Sequence, residues 1–490
     1  MLPKFTFLLV LFFVFLWICI RNPKRGFLWA IFLLPWFGLE IDVGVGITPY
    51  QVMIMCLVIS IPLFNRGFKL RTENLSRALK VFIFYAVIWS AIQITILPES
   101  TEVIRGGLFR SSLRPIAQIV VFLLVLVPIL IAPRCMRDKE DIVKMGKMYV
   151  LSAVILAIMG WIQIIIWNVT GINPLPIGLV DSLFSGQGWG TQGGLITHMG
   201  VNIYRMNSLS GEPKGLGQSL VIAMLLIQIV FSNMEQSPKT CRTLRLIWIF
   251  LAISVIATMS TSAFYLWILG SIAQFIAKPI FGVQKRRHSV FLLITGISCF
   301  LIAASIFTYA DQNRNHTSSF TTSLLGKRTY KRGVIEDFDG LVITYLLNNP
   351  AKIVFGLGLG NAHIYAAPYT QEAMNLFNFA RREDKYGTVF VAKSGYLRLI
   401  SELGIVGFGL LFYGVWWHIK IIRKNKSLNY SVEDNGLINV VFLFTFTVFL
   451  CYLARGYMMC QFWATLGICV GASIVFTNRE RYNSPGVPRL

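Results

Sequence analysis

A chain of 490 residues that is 55% hydrophobic and only 14% charged, with a mean hydropathy of +0.64, is too apolar for a soluble globular domain, in which about a quarter of residues are charged. Its formal net charge of +23 would suit nucleic acid in a soluble protein. In a membrane protein such an excess belongs to Lys/Arg-rich cytoplasmic loops facing anionic lipids, so membrane lipids are expected as partners and nucleic acid is not.

A helical crossing needs about 17–25 mostly apolar residues. In chain order such segments lie near 5–20, 26–38, 47–64, 79–97, 115–132, 148–168, 215–231, 246–258, 262–277, 289–309, 396–419, 437–453 and 457–476, giving an expected total of about 12–14 transmembrane helices. The first is apolar and aromatic, follows only Lys4 and precedes no small-x-small cleavage site, so it reads as a retained helix rather than a secretory signal. The second, eighth and ninth are short for a crossing, which suggests tilted, broken or re-entrant segments. No internal repeat and no low-complexity linker stand out. The fold class expected is an all-α polytopic membrane protein, with residues 1–490 forming a single membrane domain. The eight cysteines lie in or beside apolar segments, except Cys135 in a basic loop, and no CxxC spacing occurs. This argues against a zinc site and a disulfide framework.

Cations gather in seven short segments, around residues 21–25, 66–77, 134–147, 239–245, 278–287, 420–426 and 479–489. The positive-inside rule makes these cytoplasmic, which puts the C-terminus inside and, for an odd number of crossings, the N-terminus outside. Two large extracytoplasmic loops follow, at residues 169–214 and 310–395, with a shorter one at 98–114 that carries Arg105, Arg110 and Arg114. Outside cations run against the topogenic bias and are therefore the better candidates for function.

The first large loop is rich in glycine from Ser185 to Gly194, then reads Tyr204-Arg-Met-Asn-Ser-Leu-Ser-Gly-Glu-Pro-Lys-Gly215 before the next span. Arg205, Glu212 and Lys214 flank a helix start near Pro213, whose positive dipole end suits a phosphate or carboxylate; an ordinary interfacial loop with snorkelling cations is the alternative. In the second loop Lys327, Arg328, Lys331 and Arg332 have helical spacing and would form one cationic face. Guanidinium forks bind phosphate oxygens two at a time. Gly356-Leu-Gly-Leu-Gly360 lacks the strand–helix context of a dinucleotide fingerprint, so it reads as a tight turn or an anion nest. Asp337-Phe-Asp339 has the D-x-D form, but one acidic triplet is common by chance, and His198, His316 and His363 lack ligand spacing, so no metal is assigned. Arg398 and Glu402, four residues apart in an apolar helix, either pair with each other or face a cavity.

In their order these features resemble the O-antigen polymerase and O-antigen ligase superfamily of bacterial envelope glycosyltransferases. The matching residues are Arg205 with Gly211-Glu-Pro213, the Thr258-Met-Ser-Thr-Ser262 break, an arginine (Arg328 or Arg332) opening the large loop, Asn349-Pro350 with Phe355-Gly-Leu-Gly-Leu-Gly-Asn361, and Tyr396-Leu with Glu402-Leu-Gly-Ile-Val-Gly407, covering roughly residues 200–420. The resemblance implies a GT-C-like fold in the bacterial cytoplasmic (inner) membrane. It also implies an inverting, metal-independent glycosyl transfer on the outer face, without a cofactor, from undecaprenyl-pyrophosphate-linked glycans, with a chain-length regulator as a possible partner. The product would be an O-antigen, capsule or exopolysaccharide. Glu212 and His363 are then the candidate bases. Arg205, Lys214, Arg328 and Arg332 would hold pyrophosphate, and Arg110, Arg381, Arg398 and Glu402 other parts of the substrates. Ligases of the superfamily carry a His-Asn pair before the Tyr-Leu, where this chain has Ser394-Gly395, which favours polymerase over ligase. A flippase or transporter of lipid-linked glycans is the rival class; it would more often show two related halves.

The charge distribution yields one expectation of its own. Reporter fusions at Met1 and Leu490 should place the N-terminus outside and the C-terminus inside; an inside N-terminus would mean a span count wrong by one.

Overall fold

The structure is a computed structural model, and it describes residues 2–36, 38–39, 41–42, 46–64, 75–96, 113–170, 195–198, 201–210, 213–281, 338–361, 365, 394–426, 431–452 and 460–483. The chain is a multi-pass helical membrane protein. Its described helices are α1 (Leu2–Arg21), α2 (Pro23–Leu33), α3 (Pro49–Phe64), α4 (Arg77–Thr95), α5 (Leu113–Cys135), α6 (Lys139–Thr170), α7 (Pro213–Asn233), α8 (Pro238–Ala257), α9 (Thr261–Phe281), α10 (Phe338–Asn348), α11 (Pro350–Phe355), α12 (Gly395–Lys426), α13 (Val432–Cys451) and α14 (Cys460–Asn483). Eight of the described helices are long and apolar enough to cross a membrane, and α1, α3 and α9 contain shorter apolar stretches. Two small antiparallel hairpins interrupt the helices: β1 (Ile41–Asp42) with β2 (Gly46–Ile47), and β3 (Leu195–His198) with β4 (Val201–Tyr204).

Twelve of the expected segments coincide with described helices; the one at 289–309 lies outside the described residues. Four differ in length. Helices α8 and α9 run 20 and 21 residues, longer than their apolar cores; in α8 this is because Lys239, Arg242 and Arg245 occupy the first turns as exposed helical residues. Helix α6 begins at Lys139, well before its apolar run, because Asp138 accepts the Asp141 backbone N–H at 3.0 Å and Lys144 pairs with Glu140 at 3.1 Å. Helix α2 stops at Leu33, and its 11 residues rise only ~16 Å, about half the hydrocarbon thickness.

The end of α2 is sealed by side chains from three other segments. The Phe32 carbonyl accepts the Ser152 hydroxyl at 2.5 Å, the Pro35 carbonyl accepts Ser210 at 2.9 Å, and the Leu34 carbonyl accepts the Gln461 amide at 3.4 Å. The Trp36 indole donates to Ser152 Oγ at 2.7 Å. These bonds satisfy backbone groups that lipid would leave bare.

Contacts identify the two ends of the bundle. At one, Lys24 pairs with Asp141, Lys139 pairs with Asp434, and Gly436 near the start of α13 lies against the Asn233 carbonyl that closes α7. Arg21, Arg25, Arg137, Lys239 and Arg242 are exposed there, so this is the basic end. At the other, Met206 donates to the Ala257 carbonyl at 3.1 Å, and Gly395 packs on the Tyr452 ring. Between them α7 is buried on nearly every side, enclosed by α6, α8, α9 and α13. An apolar sequence all round a helix requires that position. On the other flank α4, α5 and α14 meet through Phe82, Phe122 and Trp463, whose ring centroids are 5.8 to 6.4 Å apart.

Buried His418 ties three helices together. Its Nε2 accepts the Ser76 backbone N–H at 3.3 Å, at the N-cap of α4, and its Nδ1 lies 2.9 Å from Ser473 Oγ on α14. Because the Ser473 hydroxyl already donates to the Val470 carbonyl at 2.7 Å, the network assigns the imidazole proton to Nδ1. His418→Leu strands the Ser76 N–H and should destabilise the protein by about 1–3 kcal/mol, read as a lowered midpoint in thermal unfolding of the detergent-solubilised protein. An unchanged midpoint would deny His418 this tying role.

Candidate functional site

At the end opposite the basic one, the chain builds two polar assemblies on separate helix groups. The first surrounds the start of α7. At the end of β4, Tyr204 stacks on Trp167 with centroids 5.2 Å apart and donates to Asn207 Oδ1 at 3.1 Å. The Ser208 N–H then donates to Gln163 Oε1 at 2.7 Å, in a short 3-10 turn from Ser208 to Ser210. Ser208 has φ of 50°, and Met259 in the α8–α9 turn has φ of 47°. Left-handed backbone at two non-glycine positions is uncommon and persists only where surrounding contacts enforce it. Arg205 is half-buried at the head of this segment, and Lys214 is exposed in the first turn of α7, which begins at Pro213 as expected.

The second assembly joins α4, α5, α11 and α12. Helix α12 is broken at Gly404, where φ is 69° and ψ 179°. The break withdraws the partners of two carbonyls in the preceding turn, and the glycine-rich segment supplies replacements. Leu357 N–H donates to the Ser401 carbonyl at 2.8 Å and Gly358 N–H to the Glu402 carbonyl at 2.7 Å. Both backbones come so close that a Cβ on Gly356 (φ of 80°) would collide with the Glu402 carbonyl, and one on Gly404 with the Val354 carbonyl. Only glycine combines a left-handed φ with that approach. From α4, Ser90 Oγ accepts the Leu359 N–H at 2.9 Å, Trp89 donates to the Gly356 carbonyl at 3.2 Å, and Tyr85 donates to the Phe355 carbonyl at 2.6 Å.

This geometry decides between the two readings of the glycine run. The backbone N–H groups of Gly356, Leu357, Gly358, Leu359 and Asn361 all donate to acceptors within the protein. The glycine run is therefore a brace for the broken helix, and the anion-nest reading is set aside in favour of the tight turn.

One turn before the break, Arg398 and Glu402 are both buried, with side chains 4% exposed, and Arg398 Nε donates to Glu402 Oε1 at 2.9 Å. Arg398 Nη2 also donates to Gln118 Oε1 of α5 at 3.2 Å. Mutual pairing is thus realised, with a third polar group beside it. Tyr396 fixes this turn by donating to the Phe449 carbonyl of α13 and packing edge-on against Phe408 and Tyr452, both 5.5 Å away.

Of the residues expected to carry function, the structure brings Arg398 and Glu402 together and sets Arg205 and Lys214 beside α7 at the same end; α13 packs against both α7 and α12. Glu212, His363, Arg328, Arg332, Arg110 and Arg381 lie outside the described residues. Gln118, Gln93 and Lys352 belong to no motif in the sequence. The two glutamines are amides within otherwise apolar spans, and that polarity was their only signal. No protein-family model matches the chain, and no curated protein matches it.

Removing one member of a buried ion pair leaves the other charged and unsatisfied. Arg398→Met should therefore destabilise the protein by about 3–5 kcal/mol, and the double substitution Arg398→Met/Glu402→Met should recover most of that loss. Thermal unfolding of the three proteins measures both effects. A double variant as unstable as the single one would mean that the pair contributes through contacts other than its own charges.

Proposed function

We propose that this protein polymerises lipid-linked oligosaccharide repeat units, by inverting glycosyl transfer from an undecaprenyl-pyrophosphate donor on the outer face of the bacterial cytoplasmic membrane. The observation that carries the reading is the buried Arg398–Glu402 pair with Gln118 beside it, set at the end of the bundle away from the basic loops and beside a braced helix break. Ionisable groups at membrane depth are costly, are usually paired, and commonly mark substrate or ion pathways. The positive-inside rule assigns the basic end to the cytoplasm, so the cluster and Arg205 would face outward.

The chemistry follows from the leaving group. A hydroxyl oxygen of the acceptor sugar attacks the anomeric carbon of the donor, the bond from that carbon to the pyrophosphate oxygen breaks, and the configuration inverts. Negative charge grows on the departing pyrophosphate, where fixed guanidinium groups stabilise it best when water is excluded. Arg205 and Lys214, with Arg328 and Arg332 from the large loop, are the residues assigned to it. The acceptor proton passes to a base, for which Glu212 and His363 are the candidates. Arg398, Glu402, Arg110 and Arg381 would contact the sugars of the two substrates. A GT-C-like arrangement would let apolar surfaces between helices take the prenyl chains.

The ligase alternative is disfavoured at residues 394–395. Where ligases carry His-Asn this chain has Ser394-Gly395, and the Tyr452 ring fills the space that any side chain at 395 would need.

Arg205→Ala should lower polymer formation by ~10²-fold or more while the protein still folds and inserts. Arg205→Lys should rescue poorly, since a point charge does not replace a two-pronged fork. The assay is purified protein with lipid-linked repeat units, read as a ladder of products. A strain lacking the protein should carry envelope glycan capped with a single unit. Long polymer stranded on the carrier in that strain would promote the ligase reading, and single units trapped on the inner face would promote the flippase.

A further inference from the structure

Lys352 has no role in the scheme above, yet it too is held in place by other elements at its end of the bundle. It sits on α11, half-buried, and its ammonium donates to Gln93 Oε1 of α4 at 3.2 Å. The same ammonium lies 5.2 Å from the centroid of the Tyr365 ring, within cation–π range. Among the described residues it pairs with no carboxylate. Burial pulls the Lys352 pKa below its usual value, and an anion at its side would reverse that pull. A lysine ammonium has three donors, of which Gln93 takes one.

The surroundings narrow the ligand. Val354 and Phe355 on α11 are 42% and 47% exposed, and Ile92 and Ile96 on α4 are 43% and 59% exposed. Ile92 and Ile96 lie in and at the end of α4, which is long and apolar enough to cross a membrane, where exposed apolar side chains suit lipid, and Val354 and Phe355 add exposed apolar surface on the helix that carries the ammonium. A free anion in water would gain nothing from that surface. A molecule with a phosphate at one end and long chains at the other fits both parts.

We propose that Lys352, oriented by Gln93 and Tyr365, binds the phosphate of an anionic bilayer phospholipid, whose acyl chains lie along Val354, Phe355 and the exposed isoleucines of α4. A bilayer lipid is preferred over the prenyl carrier because the exposed isoleucines lie in and at the end of α4, which is long and apolar enough to cross a membrane, and such lipids are abundant around any crossing helix. The site does not depend on the polymerase reading.

The test uses the full-length protein in phosphatidylcholine vesicles containing trace phosphatidylglycerol with a photoactivatable acyl chain, and mass spectrometry to locate the label. Label is expected on peptides containing α11 and the end of α4. Lys352→Gln should reduce it about tenfold relative to label at the basic end, which serves as internal reference for folded protein, and Lys352→Arg should retain it. Unlabelled phosphatidylglycerol should compete, and dioleoylglycerol, which lacks the phosphate, should not. Equal labelling of Lys352→Gln and the parent would overturn the site. Competition by farnesyl phosphate at concentrations where phosphatidylglycerol is ineffective would overturn the choice of ligand in favour of the reaction's own carrier. Should Lys352→Gln fail to fold, Gln93→Leu keeps the charge but frees it from its anchor; label unchanged in that variant would also count against the proposal.

Discussion

Inside a bilayer no water is at hand for a bare N–H or C=O, so every interruption of a helix must be closed by the protein itself. That constraint organises this structure. Helix α2 ends at about half depth, and hydroxyl and amide groups from α6, α14 and the segment before α7 take its last carbonyls. Helix α12 breaks at Gly404, and backbone N–H groups from the glycine-rich segment take the carbonyls left open. The segment before α7 turns through left-handed Ser208, and Gln163 takes its N–H. Each break is a place where the chain departs from a plain helix, and each is matched by a donor or acceptor from another element.

Two of these breaks adjoin the residues to which chemistry is assigned. The brace at Gly404 fixes the turn that carries Arg398 and Glu402, while Tyr396 anchors the same turn to α13. The seal on α2 and the Gln163 bond position the segment that carries Arg205 into α7. Irregular backbone at membrane depth is tolerated where it is buried or lines a cavity, and it brings polar groups where a regular helix would present only side chains. The buried ion pair is weak evidence for stability in itself, since its desolvation offsets most of its attraction. Its retention in an apolar helix is better understood through what it can contact.

The hydropathy of the sequence carried the order of the described helices, because a 20-residue apolar run has few alternatives in lipid; of the 12–14 crossings expected, eight described helices are long and apolar enough to make one. It did not carry the ends. The early start of α6 rests on Asp138 and on a Glu140–Lys144 pair, local signals that a hydropathy window averages away. The early stop of α2 rests on Ser152, Ser210 and Gln461, residues up to 427 positions distant. The glycine run at 356–360 looked equally suited to an anion or to a turn. What decided between them was a break in α12 more than forty residues later, a register that no local pattern encodes. The pairing of Arg398 with Glu402 was legible from their spacing of four, whereas Gln118 as a third member, 280 positions away, was not. Lys352 escaped notice because a lone lysine after Asn349-Pro350 carries no motif; Gln93 and Tyr365 give it meaning only in three dimensions.

The burial of α7 has a consequence for how the protein is made. Its polar residues Gln218, Ser219, Gln228 and Ser232 are covered in the finished bundle, in which α13 forms one of the enclosing walls. Yet Val432, where α13 begins, leaves the ribosome roughly 200 residues after Asn233, an interval of about 10–40 s at ordinary elongation rates. During that interval α7 must lodge in the bilayer with one of its walls absent. The last third of the chain thus acts on the middle third as a late-arriving chaperone in cis. A nascent chain arrested before α13 would be a far better substrate for membrane quality-control proteases than its apolar content alone suggests.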